Sequence, residues 1–178
     1  MKSKIVISLT GHRPDKLDGY ELHGSMFYKQ LFIDLCNCID YLIDKYNTIE
    51  CHSGMALGAD TIWAYSILYM KNKYPNRIIF VADVPFTKQS GKWPPKSKAT
   101  YDMLLSHADK KILYSDEYIG PACMMMRNQG MVDAADVLIA IWDGSKGGTS
   151  SAVKMAEKKK IPIHRITPDS IWKSINKG

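Results

Sequence analysis

The chain is expected to adopt an α/β fold, a Rossmann-like three-layer arrangement with a mainly parallel sheet. Three observations predict it. Short apolar runs alternate with longer segments of helical period along all 178 residues. Polar, often glycine-rich segments follow five successive strand candidates, so they fall at one end of a parallel sheet. The composition, with 46% hydrophobic and 24% charged residues, 12 Gly and 8 Pro, is that of a globular protein able to bury a core without metal or disulfide staples. Residues 1–178 read as one domain of this kind, with no internal repeat, low-complexity segment or linker.

Each element has its own justification. Lys4 to Leu9 is a buried strand rather than a signal peptide, because its apolar stretch is short and no small-residue cleavage site follows. Gly24 to Tyr46 carries Phe27, Leu31, Leu35, Ile39 and Leu42 at helical spacing. Thr48 to His52 is a second strand. Ala59 to Lys71 is a helix with Ile62, Tyr65, Ile67 and Tyr69 as its bulky residues, and Arg77 to Val84 is a third strand. Thr87 to Lys98, with Gly91, Pro94 and Pro95, is the least regular stretch and is expected to form a surface loop of lid type. A helix over Lys96 to His107 and a strand over Lys110 to Tyr114 follow. Next come a helix over Pro121 to Ala134, a buried strand over Val137 to Trp142, and a helix over Thr149 to Lys160. Ile161 to Ile166 is a last strand, and Pro168-Asp169-Ser170 opens a terminal helix.

Composition also limits function. No apolar run approaches the roughly 20 residues that span a bilayer, and a cytoplasmic location is expected. The formal charge is +6, concentrated towards the C-terminus in Lys154, Lys158, Lys159, Lys160, Arg165, Lys173 and Lys177. Such an excess suits either a solvated basic surface or attraction of phosphorylated ligands or nucleic acid. The four cysteines, Cys36, Cys38, Cys51 and Cys123, contain no C-x-x-C pair. They are expected to be free, mostly buried thiols rather than a metal site. No cofactor is indicated, and Mg²⁺ would enter only alongside a phosphate.

The chemistry should sit where the post-strand segments converge. Thr10-Gly11-His12-Arg13-Pro14 follows the first strand. Ser53-Gly54-Met55-Ala56-Leu57-Gly58-Ala59-Asp60 follows the second, Pro85-Phe86-Thr87-Lys88-Gln89 the third, and Ser115-Asp116-Glu117-Tyr118 the fourth. Asp143-Gly144-Ser145-Lys146-Gly147-Gly148-Thr149 follows the fifth. Two of these segments, Ser53 to Gly58 and Gly147 to Ser151, lead straight into helices. Glycine there lets a backbone approach an anion while the first helical amides point at it. Each can also be read as a capped strand-to-helix turn. Neither has the G-K-[ST] ending of a Walker A loop, and neither is a G-x-G-x-x-G fingerprint.

Arg13 is placed to pair with a phosphate, and His12 to address a ligand or orient its loop. Asp60 is placed to accept from a ribose or to orient the following helix. Arg127-Asn128 lie in the methionine-rich stretch Met124 to Met131. An arginine in such a stretch needs a partner: Asp133, Asp143 or a bound phosphate. Trp93, Tyr101, Tyr118 and Trp142 are candidates either for packing or for stacking on a base.

Taken together, five motifs resemble the YpsA-like branch of the SLOG superfamily, whose relatives include the DprA/Smf and LOG proteins. They are Thr10-Gly11-His12-Arg13-Pro14; Ser53 to Asp60; Pro85-Phe86 with Gln89 and Trp93; Arg127-Asn128 with Met131-Val132-Asp133 and Ala135-Asp136; and Trp142-Asp143-Gly144 with Gly147-Gly148-Thr149. The resemblance spans residue 5 to about residue 168. It implies a Rossmann-like sheet with a site for a nucleotide or nucleotide-derived signal, such as an ADP-ribose-type or cyclic nucleotide, at the strand C-termini. It also implies a tendency to self-associate, and a homodimer is the corresponding expectation. The LOG phosphoribohydrolases carry two glutamates at positions occupied here by Ala152 and Met126. Neither residue can supply acid–base help to glycosidic cleavage, so no catalytic residue is assigned. The reading is of a binder that senses or sequesters its nucleotide. N-glycosidic hydrolysis by another carboxylate, and single-strand binding resembling DprA, are the alternatives.

Overall fold

The computed structural model describes residues 1–177. Six strands form one wholly parallel sheet: β1 (Lys2–Gly11), β2 (Tyr46–Ser53), β3 (Ile78–Val84), β4 (Lys110–Leu113), β5 (Val137–Ile141) and β6 (Ile163–Ile166). Their order is β4-β3-β2-β1-β5-β6. The chain therefore winds outward from β1 in one direction, then returns to the other side of β1 and continues outward. The turning point lies between β1 and β5, and a crevice opens there at the strand C-termini.

Helices cover both faces. α1 (Met26–Ile43), α2 (Ala59–Lys73), α3 (Pro95–Ser106) and α6 (Pro168–Ile175) lie on one side, and α4 (Pro121–Ala134) and α5 (Gly148–Lys158) on the other. α1 begins at Ser25, whose hydroxyl accepts from the Tyr28 amide. Its period brings Phe27, Leu31, Leu35 and Ile39 into the larger core with Ile5, Ile7 and Leu9 of β1. α2 is buried around most of its circumference, by Ile62, Trp63, Ala64, Ile67 and Met70. Tyr69, expected to supply bulk, is instead exposed and meets Phe32 edge to face. The smaller core, under α4 and α5, is Val132, Leu138, Ala140, Ala152, Val153 and Ala156.

One expectation needs correction. The stretch from Thr87 to Lys98 is not an open lid. It folds as consecutive turns (Gln89 N to Phe86 O, Gly91 N to Lys88 O, Trp93 N to Ser90 O) that bury Gln89 and Ser90, and then enters α3. β4 is an edge strand, exposed along all four residues, because neither a further strand nor a close helix covers it.

The face of β2 and β3 turned to α4 is polar. Glu50, His52 and Asp83 are buried there, interleaved with Ile49, Cys51 and Ala82 pointing to the opposite core. His52 Nδ1 lies 2.7 Å from Asp83 Oδ2, and its Nε2 lies 3.3 Å from Glu50 Oε1. Tyr114 donates to Asp83 Oδ1, and Lys110 and Lys4 donate to Glu50 Oε2. Burial opposes a charge on His52, but its two carboxylate neighbours prevail and raise its proton affinity. Burial likewise opposes the Glu50 charge, but hydrogen bonds from Lys110 and His52 pull its pKa down to about 2.

Two outcomes follow. The His52 contribution is complete below an ordinary histidine pKa of about 6.5 and is lost as pH rises through the higher folded-state value. The Glu50 contribution is present above about 4.3 and is lost as pH falls towards about 2. Urea unfolding from about pH 3 to about pH 9 should therefore show the stability gap between the native chain and His52→Gln widest near pH 5–6 and narrower on both sides. A pH-independent gap would contradict this account. Second, a Cβ built on Gly11 would stand 2.3 Å from Ala59 Cβ and 3.0 Å from Ile141 Cβ, so β1 and the start of α2 cannot meet with a side chain between them. Gly11→Ala should cost about 1–3 kcal/mol in the same assay.

Candidate functional site

A cavity of about 300 Å³ opens at the crevice between β1 and β5. The end of β1 and the turn after it supply Thr10, Gly11, His12, Arg13, Asp15 and Lys16. The β5–α5 loop supplies Ser145, Lys146, Gly147, Gly148 and Thr149. The loop into α2 supplies Ala56, the first turn of α2 supplies Asp60, and α4 supplies Met124, Arg127, Asn128 and Met131. Four cationic side chains and two carboxylates thus surround a hollow with an apolar wall of methionine.

Arg127 is the most constrained of these groups. It is 6% exposed, and it is carried inward from α4, whose remaining turns alternate buried Cys123, Met131 and Val132 with exposed Met125 and Met126. Its Nη1 donates to the Gly54 carbonyl and lies 3.7 Å from Asp60 Oδ2. Asp133 and Asp143, the partners expected from sequence, are engaged elsewhere: Asp133 with Lys159, and Asp143 with His12. Burial lowers the proton affinity of the guanidinium and raises that of the Asp60 carboxyl, while each charge counteracts the effect on the other. An arginine keeps its proton under such a load. Its Nε has no hydrogen-bond partner, one of two buried side-chain polar atoms in that condition among the described residues. The other, Gln89 Oε1, belongs to an amide whose nitrogen donates to the same Gly54 carbonyl.

Ser53 to Asp60 does different work from that of an anion cradle. Ser53 Oγ donates to the Asp60 carbonyl and accepts from the Met55 amide. The Ala56 amide donates to Asp60 Oδ2, and the Ala59 amide to the His12 carbonyl. These amides are satisfied within the chain, and Ser53, Gly54 and Gly58 do not line the cavity. Gly54 must lack a side chain for another reason: a Cβ there would stand 1.9 Å from Arg127 Nη1. The loop is the seat of the arginine.

The second glycine segment does face the cavity. Gly147 precedes α5, and its own amide donates to Ser150 Oγ. The first-turn amides of Gly148 and Thr149 have no acceptor within the helix, and they stand at the positive end of its dipole. Asn128 Nδ2 reaches towards the Gly148 carbonyl at 3.4 Å, joining α4 to this turn.

The rim is tied together. His12 Nε2 lies 2.7 Å from Asp143 Oδ1, which also accepts from the Ser145 amide. The Ser145 and His12 hydrogen bonds hold the Asp143 carboxyl far below the usual carboxylate range. Lys16 Nζ donates to Ser145 Oγ, spanning the same two loops. Asp143 and Gly144 therefore brace the cavity without lining it.

The other sequence candidates scatter. Pro85 lies just past the end of β3 outside the cavity, and Gln89 lies behind its wall, donating to the Gly54 carbonyl that Arg127 also engages. Tyr118 is 61% exposed and packs on Phe86, away from the cavity. Trp93 packs edge to face on Tyr101 and lines a neighbouring hollow. Trp142 stacks under Arg165, and its indole donates to the Ser145 carbonyl. Sequence reasoning missed Asp15, Lys16 and Lys146. Lys146 lies within the segment read after the fifth strand, whereas Asp15 and Lys16 lie just beyond the one read after the first. No cluster of three His, Cys, Asp or Glu side chains among the described residues is placed to hold a metal ion. No helix among them is long and apolar enough to cross a membrane.

Comparison with known proteins finds relatives over most of the chain. The chain is 31% identical over 144 residues to the SPbeta prophage-derived protein YoqJ of Bacillus subtilis, covering 74% of this chain and 84% of that one. It is 27% identical over 173 residues to the UPF0398 protein YpsA of the same organism, covering 93% and 94%. Among solved structures it resembles DNA processing protein A (DprA) of Streptococcus pneumoniae, with a TM-score of 0.60 at 14% identity over 92% of this chain. It spans half of that DprA chain. DprA of Helicobacter pylori, described for its single-stranded DNA binding mode, gives a TM-score of 0.55 at 17% identity, covering 97% of this chain and 79% of that one. Residues 7–171 match the YpsA family model, described as the YspA SLOG family, and the chain belongs to that family.

Proposed function

We propose that the chain binds a nucleotide or nucleotide-derived signal molecule in the cavity between β1 and β5, and so senses or sequesters it. The observation that carries this reading is the buried Arg127, on the wall of a 300 Å³ hollow, with an unpartnered Nε and the open amides of α5 nearby. A phosphate would accept from the guanidinium and from the Gly148 and Thr149 amides. Arg13 and Lys146, which form no ion pair among the described residues, would neutralise its remaining charge. Asp60 and Asp15 would accept from sugar hydroxyls, and Met124 and Met131 would lie against the base. The volume is at the lower end of ordinary small-molecule sites.

Hydrolysis of an N-glycosidic bond has one observation in its favour: burial pushes up the Asp60 carboxyl inside the same cavity, as in a general acid. Binding remains the better-supported reading, because Ala152 is buried and Met126 points to solvent, so neither LOG-type glutamate position offers a carboxylate.

Calorimetry and thermal shift with AMP, ADP, ADP-ribose and cyclic nucleotides should show saturable binding and a concentration-dependent rise in Tm. Absence of a shift across that panel overturns the proposal. Lys146→Ala and Arg13→Ala, both surface changes, should each weaken binding about 3- to 10-fold with unchanged Tm of the free protein. Arg127→Lys should weaken it more, since a lysine cannot reproduce the fork. Chromatography of the incubated nucleotides should show no free base. Release of base that Asp60→Asn abolishes would establish the hydrolytic reading instead. Tight binding of (dA)₁₂ that falls steeply with salt, without mononucleotide binding, would favour the single-strand reading.

A further inference from the structure

The cavity between β1 and β5 does not end at its rim. A second hollow, of about 410 Å³, adjoins it and shares Arg13 and Asp15 with it. The turn that follows β1 forms the ridge between the two. Pro14 to Lys16 makes a single 3₁₀ turn, and Arg13 immediately before it is extended, so its side chain lies within reach of both sides. The far wall is built by Tyr20, Lys92 and Trp93.

Trp93 packs partly against the larger core, whereas the free groups of Tyr20 and Lys92 serve no contact in the fold among the described residues. Tyr20 is 62% exposed, and its ring stacks on no other aromatic residue among the described ones. Lys92 forms neither a hydrogen bond nor an ion pair among the described residues. Trp93 is held on one side by Tyr101, edge to face at 5.3 Å, and this fixes the part of the indole that borders the hollow. The turns from Phe86 to Trp93 are anchored by buried Gln89, so Lys92 and Trp93 sit on a fixed platform rather than a swinging loop. A cation and two aromatic rings bordering a hollow, with a second cation on the ridge, suit a planar ring joined to an anion.

We infer that the site is two-lobed and takes a nucleotide whose phosphates link two ring-bearing halves, of the dinucleoside pyrophosphate class. The inference rests on the nucleotide reading of the first cavity. One half occupies the lobe of Arg127 and α5. The linking phosphates cross the ridge at Arg13, and the second ring lies against Tyr20 with Lys92 beside it. Asp15, the one carboxylate common to both lobes, faces sugar hydroxyls rather than phosphate.

Calorimetry with AMP and with diadenosine diphosphate (AppA) separates this inference from the reading beneath it. The native chain should bind AppA at least 10-fold more tightly than AMP. Tyr20→Ala and Lys92→Ala lie on the exposed second lobe. Each should weaken AppA binding about 5- to 10-fold while leaving AMP binding within 2-fold and Tm unchanged. AppA binding no tighter than AMP, or equal losses for both ligands in these variants, overturns the two-lobed site and leaves the nucleotide reading intact. Failure of both ligands to bind overturns the two together. If (dA)₁₂ binds more tightly than AppA and shows the same variant losses, the second lobe belongs to a path for a single strand, and the small-molecule assignment is wrong.

Discussion

Arg127 brings a permanent charge into the interior, and the surrounding segments are arranged to hold it. The Gly54 carbonyl accepts from it, Asp60 faces it, and the absence of a Gly54 side chain makes room for it. The β2–α2 loop and the first turn of α2 therefore meet a guanidinium carried by α4, more than sixty residues further along the chain. A charge pair of this kind seldom adds net stability, since removing both ions from water costs about what their attraction returns. Removing one partner is far more damaging, because the other charge is left without compensation. A cavity wall made in this way has a donor held in place before any ligand arrives.

The two faces of the sheet divide the work. The face under α1 and α2 is apolar and continuous, and it gives the fold its core. The face under α4 carries the chain of Glu50, His52, Asp83 and Tyr114, and it holds only a small apolar cluster towards β5 and β6. Asp83 lies close enough to Arg127 and Asp60 for its charge to act on both. The electrostatics of the cavity thus extend into the sheet.

Much of this was legible in the residues. Alternating period fixed the order of elements, and the polar segments after the strands gather at one end of the sheet, as a parallel arrangement requires. Arg127 stood out because a guanidinium in an apolar helical stretch demands a partner. Its actual partners were not legible, because they are a backbone carbonyl in the β2–α2 loop and a carboxylate at the start of α2, both more than sixty residues away. The two glycine segments look alike as strings, and only the paths of neighbouring chains separate them. In the first, the amides of Met55, Ala56 and Ala59 are taken by Ser53, Asp60 and His12; in the second, the Gly147 amide donates to Ser150 Oγ, and those of Gly148 and Thr149 have no acceptor within the helix. Tyr118 and Trp93 could not be told apart from sequence either. β4 is short and lies at the sheet edge, so the segment after it runs away from the crevice, whereas the turns after β3 fold back beside it.

The ties between the loops after β1 and β5 bear on how fast and how selectively the hollow can fill. His12 to Asp143 and Lys16 to Ser145 lace the two sides of the mouth before anything enters. A guest would meet loops already tied to one another, with little loop freedom left to surrender on docking. If the hollow takes the proposed nucleotide, discrimination would depend on whether a molecule's outline fits an opening already made, and encounter would be limited by diffusion and charge rather than by the closing of a flap.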